Sequence, residues 1–327
     1  MTLADEHDGL LLDLDGTVWA GGVAIEHAVE SITASGLPAM YVTNNASRSA
    51  ADVAQMLRAI ELVAEESDVL TSAMAALTMA EQYLEPGDAV YVVGAPSLRD
   101  LVTGAGYRLA DSADDAPKVV LHGHNPDTGW RELSEAALSI QRGAKYLATN
   151  LDTSLPMERG LMVGNGSMVA AVTSATGVTP QAAGKPEPAM FLQAAKQRGL
   201  RRPLAVGDRL DTDIAGGVAA RMPALHVLTG VSGPYALLQA PPEHRPTYIG
   251  SDMRALSAEP ETLTPGEQGG FAARVDGSAV VLTGGDSVAS SVAALRTALA
   301  AAWQAAEAPT EVRAESDAAE AAVSQWW

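Results

Sequence analysis

The chain has 327 residues, 47% of them hydrophobic, and a formal net charge of −19. Its length and hydrophobic content are enough for a large core and about two domains. The negative charge argues against a nucleic-acid partner, because contacts to phosphate backbones need basic patches, and the absence of cysteine excludes disulfides, thiolate nucleophiles and cysteine zinc sites. No run of about 18 apolar residues occurs and the acidic start does not resemble a signal peptide, so we expect no membrane insertion and a cytoplasmic protein.

Short apolar runs alternate with helical patterns along the chain, which predicts an α/β fold with a mostly parallel sheet. The predicted strands are residues 9–14, 39–42, 89–93, 118–121, 146–148, 203–206 and 224–227. The predicted helices between them include residues 49–60, 73–84, 134–141, 167–176 and 188–198.

The composition changes after residue 256. Residues 257–270 are rich in proline, glycine and glutamate and predict a linker. A strand pair is expected at 271–275 and 279–282, and the alanine-rich helix that follows has one apolar stripe of Val288, Val292, Leu295, Leu299 and Trp303. Residues 308–324 are acidic with few large apolar side chains, so we expect them to be loosely ordered.

Two aspartates, Asp13 and Asp15, end the first apolar strand. Burying like charges together is costly, so a structural role alone is rarely the reason for such a pair. Ligands of open α/β sheets bind where the parallel strands end, which favours a functional site here. Other strand or loop ends carry further polar groups, which are Thr43 with Asn44 and Asn45, Lys185, and Asp208 with Asp213.

Together these groups predict a site for phosphoryl transfer. A phosphomonoester is a dianion, and its repulsion with an attacking carboxylate at about 4 Å is about 8 kcal/mol at an effective dielectric constant of about 20. Asp13, Asp208 and the backbone carbonyl of Asp15 would offer the hard oxygens that Mg2+ prefers. Lys185 would add a positive charge and Thr43 a hydroxyl donor. Asp13 is then the predicted nucleophile, and Asp15 the group that protonates the leaving oxygen and activates water.

The chain carries four motifs in the order "DLDGT" at 13–17, "VTNN" at 42–45, "GKPEP" at 184–188 and "GDRLDTD" at 207–213. This set resembles the haloacid dehalogenase (HAD) superfamily of aspartate-dependent phosphatases. Two segments of the long insert, "RGAKYLATNLDTSLP" and "GNGSMVAAVTSATG", are similar to the cap of the subfamily with p-nitrophenylphosphatase, phosphoglycolate phosphatase and pyridoxal phosphatase. The resemblance covers residues 9 to 256.

The resemblance implies a Rossmann-like, parallel-sheet HAD core at residues 1–82 and 184–256, an inserted α/β cap domain at 83–183, and a small C-terminal extension at 257–327. Carried across motif by motif, it implies Asp13 as nucleophile, Asp15 as acid and base, Thr43, Asn44 and Lys185 as phosphate binders, and Asp13, Asp15 and Asp208 as Mg2+ ligands. We add the adjacent Asn45 to the substrate-binding group. Asp213 would be an outer carboxylate that orients metal-bound water.

The expected substrate is a small phosphorylated metabolite, and the resemblance leaves open a homodimer formed through the cap. Over its whole length the chain resembles a glycerol 3-phosphate phosphatase type with a fused segment similar to a fragment of an acetyltransferase domain. That resemblance alone ranks glycerol 3-phosphate first, 2-phosphoglycolate second and pyridoxal 5'-phosphate or a nucleotide lower.

Three other functions are open to the same residues. A phospho-receiver signalling module also combines acidic residues, Mg2+, a threonine and a lysine on a parallel sheet. It is a single small domain, however, and lacks the second aspartate as proton donor. A haloacid dehalogenase proper needs no Mg2+, and it is disfavoured by Gly207-Asp208, a motif that serves a metal, and by "DLDGT". A binding protein with a vestigial core would not keep every catalytic position filled.

Overall fold

The computed structural model describes residues 1–157 and 159–327. Two compact units make up the chain: the first comprises Met1–Tyr41, Ile60–Leu62 and Ala195–Trp327, and the second Val42–Ala59 and Val63–Ala194. Within the described part of the chain, no helix is both long and apolar enough to cross a membrane.

Strands and helices alternate along most of the chain, as the apolar pattern predicts. The strands are β1 (Gly9–Leu12), β2 (Trp19–Ala20), β3 (Val23–Ala24), β4 (Ala39–Thr43), β5 (Val69–Thr71), β6 (Ala89–Val93), β7 (Arg108–Leu109), β8 (Val119–His122), β9 (Lys145–Ala148), β10 (Ser154–Met157), β11 (Gly160–Val163), β12 (Gln181–Ala182), β13 (Pro203–Gly207), β14 (Ala224–Val227), β15 (Tyr248–Gly250), β16 (Phe271–Asp276), β17 (Ala279–Gly284) and β18 (Glu311–Ala314). The α-helices are α1 (Ala28–Ser35), α2 (Ala50–Ala59), α3 (Ser72–Ala80), α4 (Pro96–Gly104), α5 (Trp130–Gln141), α6 (Asn165–Thr176), α7 (Ala189–Arg198), α8 (Ala215–Ala219), α9 (Pro234–Leu238), α10 (Ser291–Ala302) and α11 (Asp317–Val323).

Helix α5 begins four residues earlier than the hydrophobic pattern predicts. The Glu132 carboxylate accepts the backbone N–H of Gly129 at 3.0 Å, which satisfies a donor at the start of the helix. The first turn is therefore stabilised by a local cap, although Trp130 is 85% exposed and adds nothing to an apolar face.

The first unit is built on a parallel sheet in the order β15-β14-β13-β1-β4. Strand β1 lies between β13 and β4, and Leu10, Leu11 and Leu12 have no exposed surface. A parallel strand buried on both faces is a continuous apolar run, which is the pattern of this segment. Strand β4 continues into the second unit, where β5 lies next to it. The α/β fold with a parallel sheet is confirmed.

The C-terminal part of the first unit forms a small sheet in the order β16-β17-β18, and the predicted strand pair is its antiparallel half. The expected loose order of residues 308–324 is wrong. Strand β18 pairs in parallel with β17, and Ala319 and Ala322 of α11 are buried. Backbone hydrogen bonds and close packing of small side chains order this segment without large apolar residues. Val288 precedes α10 and is 92% exposed, so it does not belong to the apolar stripe of that helix.

The second unit contains a parallel sheet in the order β12-β9-β8-β6-β7 and the antiparallel hairpin β10–β11. Its core includes Tyr91, Val120, Ile140, Val169 and Val172, which are contributed by β6, β8, α5 and α6. Strands and helices of this unit therefore enclose a hydrophobic core of their own.

Candidate active site

Three carboxylates lie together in the first unit at the carboxyl edge of its sheet. Asp13 directly follows β1, Asp208 directly follows the neighbouring β13, and Asp213 lies in the turn after it. One oxygen of each lies within 4.8 Å of the others, and Asp208 and Asp213 are 0% and 2% exposed. Buried like charges at this distance destabilise one another unless a cation compensates them. The all-oxygen donor set fits Mg2+, which prefers carboxylate and carbonyl ligands.

Backbone donors fix the orientation of Asp208. The Val231 N–H donates to its Oδ2 at 2.6 Å, and the Ser232 N–H donates to its backbone carbonyl at 3.1 Å. The Thr17 hydroxyl is 3.4 Å from Oδ1, a long hydrogen bond. Gly16 lies so close that a Cβ atom there would be 2.5 Å from Asp208 Oδ2. Any side chain at position 16 would therefore displace this carboxylate.

Asp213 lies in a π-helical turn, Leu210–Ile214, and its Oδ2 accepts the Arg209 N–H at 3.0 Å. A turn of this type is often found at functional sites. The intervening Asp211 has a different role, since the Arg209 guanidinium contacts it at 2.8 Å. Burial raises the pKa of Asp211, but the hydrogen bond and charge of Arg209 outweigh burial and lower it overall. Asp211 is thus paired outside the three-carboxylate group.

The Asp15 side chain is exposed and lies outside the group of three carboxylates. Its Oδ1 accepts a hydrogen bond from Trp19 Nε1 at 2.9 Å, and Trp19 begins strand β2. An exposed carboxylate two residues after Asp13, held by a neutral donor, can exchange protons with a leaving group or water. The hairpin β2–β3, which the sequence patterns did not predict, positions this carboxylate.

In the second unit, the predicted substrate-binding residues form another group. The Lys185 N–H donates to Asn44 Oδ1 at 2.8 Å, and Asn44 Nδ2 donates back to the Lys185 carbonyl at 3.0 Å. Lys185 is 3% exposed, and its Nζ donates to the Val42 carbonyl at 3.0 Å. The Thr43 hydroxyl accepts the Asn45 N–H at 3.1 Å. The Asn44 amide thus joins the end of β4 to the backbone of Lys185.

Sequence reasoning missed several residues that hold these groups. Asn150 and Ser72 both donate to the Asn44 carbonyl, at 2.7 and 2.6 Å. Asp152, which the sequence offered as a residue that could face the leaving group or serve as scaffold, accepts from Asn44 Nδ2 at 3.2 Å. In the first unit, Thr229 donates to the Gly16 carbonyl at 2.6 Å. A usable signal existed for this last contact, since "LTGVSGP" at 228–234 is a glycine-containing loop directly after a predicted strand.

Acidic residues at the ends of adjacent parallel strands, in a chain with a second α/β unit inserted, define a class of hydrolases. The chain belongs to the haloacid dehalogenase-like hydrolase family: the family model matches residues 10–108, and a HAD-hydrolase-like model matches residues 182–256. The resemblance seen in the four motifs is confirmed, and the fold is a HAD core with a cap domain. Membership contradicts the phospho-receiver alternative.

One relative is the D-glycerol 3-phosphate phosphatase of Mycobacterium tuberculosis, 42% identical over 336 aligned positions that cover 99% of this chain and 95% of the relative. A crystal structure of a glycerol phosphate phosphatase from the same organism, in complex with magnesium, has a TM-score of 0.94 at 42% identity and covers 100% of this chain and 98% of its own. A p-nitrophenyl phosphatase from Archaeoglobus fulgidus has a TM-score of 0.71 at 27% identity, covering 76% of this chain and 98% of its own.

Proposed function

We propose that this chain is a Mg2+-dependent phosphatase of small phosphomonoesters, with glycerol 3-phosphate as its substrate. The observation that carries the proposal is the close approach of the Asp13, Asp208 and Asp213 carboxylates. A phosphomonoester would bring two more negative charges to this edge of the sheet, so a divalent cation is needed for binding and attack. The choice of glycerol 3-phosphate is supported by the M. tuberculosis relative, which matches nearly the whole chain.

In this proposal Asp13 attacks phosphorus and forms an aspartyl phosphate, while Asp15 protonates the leaving oxygen. Asp15 then takes a proton from the water that hydrolyses the intermediate. Thr43, Asn44, Asn45 and Lys185 bind the phosphoryl group. Mg2+ would be held by Asp13, Asp208 and the Asp15 carbonyl, with Asp213 orienting its waters, and it would neutralise charge on the phosphoryl oxygens.

We also propose the division into a core at 1–82 and 184–256, a cap at 83–183 and an extension at 257–327. The division is supported by coverage, since the M. tuberculosis relative covers 99% of this chain and the A. fulgidus phosphatase covers 76% of it. The homodimer through the cap and the cytoplasmic location stay predictions, the first of which light scattering would test.

The test is phosphate release from glycerol 3-phosphate, 2-phosphoglycolate and pyridoxal 5'-phosphate, with Mg2+ or with EDTA. We expect the highest kcat/KM for glycerol 3-phosphate and no turnover in EDTA. Asp13→Asn keeps the shape but removes the attacking charge, so its turnover should fall to background, and acid quenching should trap phosphate on the wild type alone. Full activity in EDTA, or in Asp13→Asn with deamidation excluded by mass spectrometry, contradicts the proposal.

A further inference from the structure

The loop of residues 228–234 follows β14 and leads into α9. It holds both Asp208 and Gly16. Val231 and Ser232 supply the backbone N–H groups bound to Asp208, at 2.6 and 3.1 Å. Thr229 donates to the Gly16 carbonyl at 2.6 Å. Asp208 is fully buried, so its side chain has no free space in which to adjust. A shift of the 228–234 loop would therefore reorient the Asp208 carboxylate directly.

Trp327 packs closely against the same loop. A Cβ atom on Gly233 would lie 2.6 Å from Trp327 Nε1, so the ring and the loop backbone are in tight contact. The neighbouring Trp326 is 8% exposed and contacts the ring of Tyr235 edge to face, with 6.2 Å between ring centroids. Tyr235 belongs to α9, which begins where the loop ends. Both tryptophans therefore support the loop or the helix that continues it.

The two tryptophans and the loop line a common pocket. It has a volume of about 210 Å3, is partly open, and is lined by Leu228 and Pro234 of the loop, by Leu295 of α10 and by both tryptophans. The tryptophans therefore add packing contacts to the 228–234 loop.

Trp326 is itself fixed by the C-terminal part of the first unit. Its Nε1 donates to Ser291 Oγ at 2.9 Å, and that hydroxyl donates to the Ala322 carbonyl at 2.8 Å. Ser291 begins α10 and Ala322 lies in α11. The position of the tryptophan pair is therefore set by these two helices, and a chain of contacts runs from them through the loop to Asp208.

We propose that Trp326 and Trp327 are positioning residues for Asp208, which they hold in its metal-binding orientation through the 228–234 loop. The inference rests on the proposed function, because it takes Asp208 as a ligand of Mg2+. Groups that orient a metal ligand typically contribute about 10- to 100-fold to metal affinity. Since these contacts act through packing, we expect an effect of about tenfold, at the lower end of that range.

The first test measures Mg2+ binding to the metal-free full chain by calorimetry, for Trp327→Ala and for Trp130→Ala as matched control. Both side chains are largely exposed, at 56% and 85%, so neither substitution removes much of a core. Trp327→Ala should raise the Kd for Mg2+ about tenfold and raise the Mg2+ concentration for half-maximal activity, with kcat at saturating Mg2+ retained. Trp130→Ala should match the wild type.

A double-mutant cycle tests the contact itself. Gly233 has a φ of −88°, which alanine adopts freely, so Gly233→Ala perturbs the loop only by collision with Trp327. It should weaken Mg2+ binding, and the double variant Gly233→Ala/Trp327→Ala should lose less affinity than the sum of the two single losses, because the collision with the ring is removed while the one with the Trp327 carbonyl, also at 2.6 Å, remains. Strictly additive losses would overturn the proposal.

Hydrogen exchange of the Val231 and Ser232 amides in metal-free protein separates this inference from the proposed function. We expect faster exchange in Trp327→Ala than in wild type. If the wild type binds no Mg2+, the proposed function fails. If, in addition, Trp327→Ala exchanges as slowly as the wild type, the tryptophans do not support the loop and the positioning role fails too. If the wild type binds Mg2+ and Trp327→Ala matches it in affinity and exchange, only the positioning role is overturned.

Discussion

Replacing Gly16 by alanine should damage the metal site far more than it damages the fold. Gly16 has a φ of +92°, where an L side chain costs about 1–2 kcal/mol. Its new Cβ would lie 2.5 Å from Asp208 Oδ2, and ordinary contact begins near 3.4 Å, so the carboxylate must shift by roughly 1 Å. A misplacement of that size costs about 100-fold in rate, or about 2.7 kcal/mol of barrier. We expect kcat/KM to fall by about that factor.

Gly36→Ala is the matched control for this substitution. Gly36, at the end of α1, also has a positive φ, +64°, but no atom lies within 4 Å of its added Cβ. It carries the backbone strain without the collision, so thermal unfolding should shift by a similar amount in both variants while activity falls only in Gly16→Ala. The assay is phosphate release over a range of Mg2+ concentrations. Equal activity losses in the two variants would refute the argument that the approach of Gly16 to Asp208 matters.

Two further predictions concern the second unit. Burial lowers the pKa of His122 to about 4, against about 6.5 in the unfolded chain. As the pH falls, the unfolded state therefore binds a proton before the folded state does. The free energy of unfolding should drop by about 3 kcal/mol between about pH 6.5 and 4. The urea midpoint of His122→Gln should fall less steeply than that of the wild type as the pH is lowered through this range. An equal fall in both proteins would show that His122 is not the source of the acid sensitivity. Asn44→Ala removes both hydrogen bonds to the Lys185 backbone, so we expect a raised KM and a loss of about 1–3 kcal/mol in stability. Asn44→Asp keeps the acceptor for the Lys185 N–H but places a carboxylate oxygen where the amide donated to Asp152 and to the Lys185 carbonyl, so it should lose no less than Asn44→Ala, and an unchanged KM in both would mean that this amide does not position Lys185.

The strands and the carboxylates of the first unit are predictable because their signals are local. Strand β1 is a continuous apolar run, and Asp13 and Asp208 each directly follow a strand of that kind. Parallel strands place such residues at one edge of the sheet, so the shared edge follows from the pattern, while the pairing of β1 with β13 had to be observed. Asp213 was also found from the pattern of strand and loop ends, but its role as an outer carboxylate required the family resemblance, and the π-helical turn that holds it was not predicted.

The backbone contacts to Asp208 could not be predicted, because they depend on groups that every residue possesses. The Val231 and Ser232 donors are backbone N–H groups, and nothing in their side chains marks them. The order of residues 308–324 was missed for a related reason. A short strand beside β17 and buried alanines stabilise that segment through backbone pairing and close packing, which apolar periodicity does not report.

The pairing of Asn44 with Lys185 has a consequence for the order in which the protein matures. The whole stretch between these residues must be synthesised before the pair can form, and the carboxylates of Asp208 and Asp213 emerge later still. Closing loops of this length opposes early assembly, since the entropy is lost before the contacts are made. A nascent chain therefore carries Asp13, the proposed nucleophile, from the start, but the proposed site is complete only after Lys185 and then Asp208 and Asp213 have been synthesised.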